Sequence, residues 1–125
     1  MKITLATTAV ALLSAGAAAL PALGQPAGPA PCFRTSEVRN HTVGDDHTLY
    51  LDVNGRSVYR ITMRNGCLAA AGSSDPIVFR QTSGSGLVCR PLDLDIAALD
   101  SRCIVESVTR LTPAEAAALP RKLKP

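Results

Sequence analysis

Few side chains in this sequence can do chemistry. His41, Asp45, Asp46 and His47 form the one local group of metal-ligand types, and imidazoles with carboxylates suit a divalent first-row ion. The two histidines stand six residues apart, a spacing that fixes no ligand face, and the surrounding run Arg39–His47 is polar and contains Gly44. It reads as a loop whose polar residues are solvated, so these four are weak candidates and no metal is expected. Asp93 and Asp95 alternate with Leu92, Leu94 and Ile96. Two carboxylates so spaced share one strand face, where a pair can do acid-base work, or simply mark the wet side of a half-buried strand. Serine, histidine and aspartate occur without a G-x-S-x-G elbow. The glycines of Ser83–Gly86 lack the lysine and helix of a phosphate loop. The chain is therefore expected to be no enzyme and to carry no cofactor.

The cysteines say more. Cys32, Cys67, Cys89 and Cys103 are separated by 35, 22 and 14 residues, which includes neither a C-x2-C zinc knuckle nor a C-x-x-C redox pair. An even number of cysteines in a short exported chain predicts disulfides. Three pairings are open. The likeness of CFRTSEV and CIVESV favours first and last strands side by side, hence Cys32 with Cys103 and Cys67 with Cys89.

Export is read from the first residues. Met1-Lys2 precede an uncharged apolar run from Ile3 to Leu23, and Ala22-Leu23-Gly24 fits a small-residue cleavage site before Gln25, with a cut after Ala19 as competitor. Residues 1–24 thus read as a secretory signal peptide, and no membrane span is expected after cleavage. The competing reading is an uncleaved anchor, since the run approaches spanning length. A lipid anchor on Cys32 is disfavoured by Pro29-Ala30-Pro31. Residues 25–31, QPAGPAP, read as a proline-rich tether. Loss of Lys2 lowers the formal net charge from +3 to +2, which with export argues against nucleic acid as a partner. A chain of about 100 residues buries roughly two thirds of its unfolded surface. With Phe33, Tyr50, Tyr59 and Phe79 as its aromatics, the core gains from cross-links.

The elements that position these residues are mostly strands. Thr48–Met63 is a hairpin around Asn54-Gly55. A three-residue loop, Val53-Asn54-Gly55, with Gly55 left-handed, pairs Leu51 with Ser57 and Leu49 with Tyr59 and gathers Leu49, Leu51, Tyr59, Ile61 and Met63 on one face. Arg60 and Arg64 then face outward, and with Arg56 they form a small basic strip, for which envelope glycans or anionic lipid heads are conceivable partners. Cys32–Val38 reads as a first strand, Cys67–Ala71 as a strand of small residues, Gly72–Pro76 as a turn and Ile77–Gln81 as a short strand. Ser83–Gly86 then reads as a hairpin loop into Leu87–Cys89, Leu92–Ile96 as a half-buried strand, and Cys103–Leu111 as the last strand. Thr112-Pro113-Ala114-Glu115 is a capping box with proline at the first helical position, and Pro120 ends the helix. Two turns are marginal alone, so the helix must dock on the sheet.

The order of CFRTSEV, DDHTLYLDV, SVYRITM, a cysteine after a turn, LVC and CIVESVTRLTPAEAAAL, over about Cys32 to Leu119, resembles a group of small proteobacterial envelope proteins with four cysteines, a domain of unknown function. The resemblance implies an exported β-rich domain and carries no catalytic residues. The expected fold is mainly β, a small antiparallel sheet or partly open barrel with one short C-terminal α-helix, disulfide-stapled, over residues 32–120, followed by a basic tail, residues 121–125. The expected function is that of a non-catalytic periplasmic or secreted envelope protein, structural or binding, monomeric, with an envelope protein or glycan as partner. The alternative is a secreted inhibitor or ligand-binding module using the loop at Arg39–His47 or Gly72–Pro76.

Overall fold

A computed structural model describes residues 32–125; the signal peptide and tether expected over residues 1–31 lie outside them. The fold is mainly β, with antiparallel sheets, one short α-helix and two disulfides.

The largest sheet contains β2 (Val38–Asp45), β3 (Thr48–Val53), β4 (Ser57–Met63) and β9 (Val105–Arg110), in the order β2-β3-β4-β9. The expected core face is present: Leu49, Leu51, Tyr59, Ile61 and Met63 are all buried, and Val53 joins them. The register differs from expectation. Leu51 pairs with Tyr59, Leu49 with Ile61 and Val53 with Ser57. Asn54 as well as Gly55 is left-handed, at φ 57° and 67°, and the Arg56 N–H donates to the Val53 carbonyl at 3.1 Å. Asparagine tolerates this backbone, so the turn begins one residue later and Arg56 becomes the extra residue. The shift is by two positions in the pairing sum, which leaves every side chain on its face.

Arg39–His47, expected as a loop, lies largely in β2. A polar edge strand needs few apolar residues, and β2 has Val38, His41 and Val43 on the core side opposite Val53, Leu51 and Leu49. Bulges between Val38 and Asn40 and between Val43 and Asp45 break the alternation that would have revealed it. Gly44 serves close packing: a Cβ there would stand 2.9 Å from the Tyr50 ring.

A second sheet has the order β5-β7-β8, from β5 (Ile77–Gln81), β7 (Leu94–Ala98) and β8 (Ser101–Cys103). A two-residue ribbon pairs β1 (Phe33–Arg34) with β6 (Leu87–Val88). The first strand is therefore shorter than expected, because Thr35–Glu37 forms a 3-10 turn. Leu87–Val88 pairs with β1 and not with Ile77–Gln81, so Ser83–Gly86 closes no hairpin. Cys67–Ala71 is a run of turns with bonds from Ala69 N–H to Gly66 and from Ala71 N–H to Leu68, its small side chains letting Leu68 sink into the core. The alternating strand begins at Leu94; Pro91–Asp93 is a 3-10 turn, which leaves Leu92 81 % exposed. The last strand breaks at Ile104 into β8 and β9.

The disulfides join Cys32 to Cys89 and Cys67 to Cys103, correcting the expected Cys32–Cys103 and Cys67–Cys89. Sequence likeness between first and last strands does not make them neighbours: β9 pairs with β4, whereas Phe33 lies opposite Val88, which sets Cys32 beside Cys89. The second bridge is framed by Asn65. Its Nδ2 donates to the Arg102 carbonyl at 2.9 Å, its Oδ1 accepts the Ile104 N–H at 2.8 Å, and Arg64 N–H reaches the Ile104 carbonyl at 2.8 Å. One amide thus holds the chain on both sides of Cys103 and brings it to Cys67. The two loops span 57 and 36 residues and cross. Chain entropy assigns each about 4 kcal/mol, less in combination, comparable with the whole stability of a small domain.

The helix α1 (Pro113–Ala118) has the expected capping box: Thr112 N–H donates to Glu115 Oε2 at 2.7 Å and Glu115 N–H to Thr112 Oγ1 at 3.2 Å. It is anchored by buried Leu111, whose N–H bonds to the Val58 carbonyl at 2.9 Å. The residues expected as a basic tail are fixed as well. Arg121–Leu123 forms a 3-10 turn, and the Lys124 carbonyl accepts the Thr42 hydroxyl at 3.1 Å. This C-terminal strap covers part of the polar side of the large sheet, so Thr42 is only 5 % exposed.

Candidate functional site

The predicted metal candidates do not converge. The His41 ring Nε2 lies 3.0 Å from the Asp75 carbonyl, and the His47 ring Nδ1 lies 3.1 Å from the Met63 carbonyl. A carbonyl only accepts, so each of these nitrogens carries its proton and each imidazole tethers a loop to a strand. Asp45 accepts the His47 N–H at 2.8 Å, and that backbone bond holds its carboxyl below the usual aspartate range. Asp46 is exposed, its carbonyl accepting the Leu68 N–H. Among the described residues no group of three or more His, Cys, Asp or Glu side chains is placed to hold a metal ion.

Asp93 and Asp95 are likewise separated in role. Asp93 closes the Pro91–Asp93 turn, taking the Cys89 and Arg90 N–H groups at 3.1 and 2.9 Å and the Arg90 guanidinium at 3.2 Å. The Arg90 side chain leads in holding its carboxyl low, helped by the Cys89 N–H. Asp95 takes Arg102 Nε at 3.2 Å. Beside that pair lies a cleft of about 330 Å³ between Leu92 and Ile104. Its arginine is already neutralised.

The basic strip develops differently. Arg60 stands on the outer face and lines a cleft of about 260 Å³ with Tyr50 and Glu115, beside the helix. Arg64 lies beyond the end of β4. Arg56, displaced outward as the extra turn residue, meets Arg110, which sequence reasoning missed. Arg110 ends β9 opposite Tyr59, so only the pairing of β9 with β4 brings it to the hairpin turn. The two arginines line a cleft of about 340 Å³ at the end of the large sheet, together with Ser57, Thr112 and the apolar side chains of Val58, Leu111, Pro113 and Ala116.

In this cleft Arg110 Nη2 donates to Ser57 Oγ at 2.8 Å. Among the described residues the ion pairs are Arg90 with Asp93 and Arg102 with Asp95, so neither Arg56 nor Arg110 is neutralised by a carboxylate. Tyr59, opposite Arg110 in the sheet, is buried, and its hydroxyl reaches the Cys32 carbonyl at 3.4 Å. Burial pushes that phenol up, against the opposing pull of the Arg110 charge, and Glu37 adds to the rise. Among the described residues the polar groups that line the cleft are the guanidiniums of Arg56 and Arg110 and the hydroxyls of Ser57 and Thr112. No protein-family model matches the chain, and neither a curated protein nor a solved structure matches it.

Proposed function

We propose that this chain is a non-catalytic exported protein of the envelope, periplasmic or secreted, that acts by binding. The signal-peptide pattern of residues 1–24, the resemblance of its four-cysteine order to small envelope proteins, and the pairing of all four cysteines support that compartment, since such cross-links persist under oxidising conditions. The observation that carries the binding role is the cleft between Arg56 and Arg110, where donors gather without a carboxylate or a general base. The partner is an envelope protein or glycan, and the protein acts as a monomer. Among the described residues no helix is long and apolar enough to cross a membrane. The test is retention: oxidised protein, immobilised beside a reduced and alkylated control, is exposed to envelope extract. Stoichiometric retention of one envelope component by the oxidised form alone is expected; retention of nothing, or chemical turnover of what is retained, contradicts the reading.

A second reading, a secreted inhibitor acting through an exposed loop, draws on one feature. Leu99 tips the two-residue turn between β7 and β8, half-exposed and at φ 52°, a backbone that leucine rarely adopts. An apolar side chain held at such a turn suits insertion into a partner's pocket. The loops first considered for this role fit it less well, because Arg39–His47 lies largely in a sheet and Gly72–Pro76 is tied to it through Asp75 and Ser73.

A further inference from the structure

We infer that the cleft between Arg56 and Arg110 is a binding site for a phosphate monoester with an apolar stem. The inference rests on the binding role proposed above and narrows it to one anionic group, a phosphate monoester, whichever envelope component carries it.

Arg56 and Arg110 reach one cleft from the hairpin turn and from the end of β9, and no carboxylate neutralises either. Glu37, whose charge reaches Tyr59 as that of Arg110 does, is engaged by the Arg34 N–H. Two like charges sharing one concavity focus a positive potential that a bound anion relieves. A phosphate monoester brings about −1.5 to −2 at neutral pH, which balances the pair; a carboxylate balances half of it.

The hydroxyls point the same way. Ser57 Oγ accepts from Arg110, and Thr112 Oγ1 accepts from the Glu115 N–H. A hydroxyl that accepts in this way keeps its own O–H to give. The polar wall therefore presents donors: two guanidiniums, which match oxyanions with a planar fork, and two hydroxyls. That supply exceeds the two oxygens of a carboxylate and suits the three of a phosphoryl group. The bond to Ser57 also holds one edge of Arg110 in advance of ligand, reducing the ordering cost of binding.

The opposite wall is apolar, formed by Val58, Leu111, Pro113 and Ala116, and the space of about 340 Å³ falls in the range of small-ligand pockets and exceeds what a bare tetrahedral ion fills. The remaining volume receives carbon. A soluble phosphate ester and the monoester headgroup of an anionic lipid share this chemistry.

The experiment is calorimetric titration of the oxidised protein with hexyl phosphate, beside hexanoate and hexyltrimethylammonium, together with flotation on phosphatidylcholine vesicles with and without phosphatidic acid. Saturable binding of hexyl phosphate at least about tenfold tighter than hexanoate is expected, with no binding of the cation, and a loss of about tenfold or more in each of Arg56→Gln and Arg110→Gln. Both arginines are exposed, so these variants keep the fold, and unchanged disulfide mapping and circular dichroism verify it. Arg110→Lys retains charge without the fork and falls between wild type and Arg110→Gln. Flotation that requires phosphatidic acid and the two arginines assigns the site to a lipid headgroup; hexyl phosphate binding without flotation assigns it to a soluble ester. Absence of saturable hexyl phosphate binding, equal binding of hexanoate, or indifference to both substitutions overturns the inference. If the same preparation still retains an envelope component, the wider binding role stands; if it retains nothing, that role falls too.

Discussion

Asn65 offers the sharpest test of how this fold is held. Its side chain makes two bonds to main chain on either side of Cys103, at 2.9 and 2.8 Å, where the kink at Ile104 interrupts strand pairing. A hydrogen bond of this kind contributes about 1 kcal/mol net. Asn65→Ala removes both and leaves the Arg102 carbonyl and the Ile104 N–H to water, and at about 1 kcal/mol net for each bond a destabilisation of about 2 kcal/mol is expected. Asn65→Asp keeps the acceptor for Ile104 but sets a carboxylate oxygen against the Arg102 carbonyl, so it recovers little of the deficit above the carboxyl pKa and more of it in acid, where the protonated group donates again. Urea denaturation followed by tyrosine fluorescence, with the disulfides intact, measures both. A loss under about 0.5 kcal/mol in Asn65→Ala would refute the bracket, as would an Asn65→Asp variant at wild-type stability at neutral pH.

Gly44→Ala should cost about 1–2 kcal/mol through overpacking, because its new Cβ stands 2.9 Å from the Tyr50 ring; in a Tyr50→Ala background the same change should be neutral in urea denaturation. Leu99→Gly should stabilise by about 0.5–1 kcal/mol by relieving a left-handed leucine, measured by thermal unfolding, and a loss of stability would mean that the turn carries no strain. Asp45, Asp93 and Glu115 all have carboxyls held low in the fold by hydrogen bonds. A group whose folded pKa is depressed contributes stability that is complete above its unfolded value, about 4, and is lost as pH falls through the folded value. The urea midpoint should thus be flat near neutrality and fall below about pH 5, and Asp93→Asn should be less stable near neutrality with a shallower fall.

What could be read from the sequence was local. Asn54-Gly55 and the Thr112–Glu115 capping box form without reference to distant chain, and both stand in the structure; Ile77–Gln81 was legible from its β-branched residues, although its partner strand was not. The core face of the hairpin was legible for a related reason: a shift of two positions in register changes partners but not faces, so the apolar set survived an error in the turn. Elements defined by their neighbours were not legible. β2 is polar, bulged and at an edge, so its pattern resembles a loop until β3 is beside it. The disulfide pairing depends on the contact between β1 and β6, two residues each, for which sequence likeness was a poor guide. The candidate cleft was half visible: Arg56 belongs to a recognisable turn, while Arg110 reaches it only through the pairing of β9 with β4. His41 and His47, conspicuous by type, are structural donors to carbonyls.

The most direct test is the cysteine map. Thiol-trapped protein recovered from its native compartment, digested without reduction, can be read by mass spectrometry because tryptic cleavage after Arg34, Arg64, Arg80 and Arg102 puts each cysteine on its own peptide. Two linked pairs are expected, Cys32 with Cys89 and Cys67 with Cys103, and no trapped thiol. Cys32 joined to Cys103 would contradict the contact of β1 with β6, and cysteines recovered as free thiols would contradict the reading of an exported, disulfide-stapled domain.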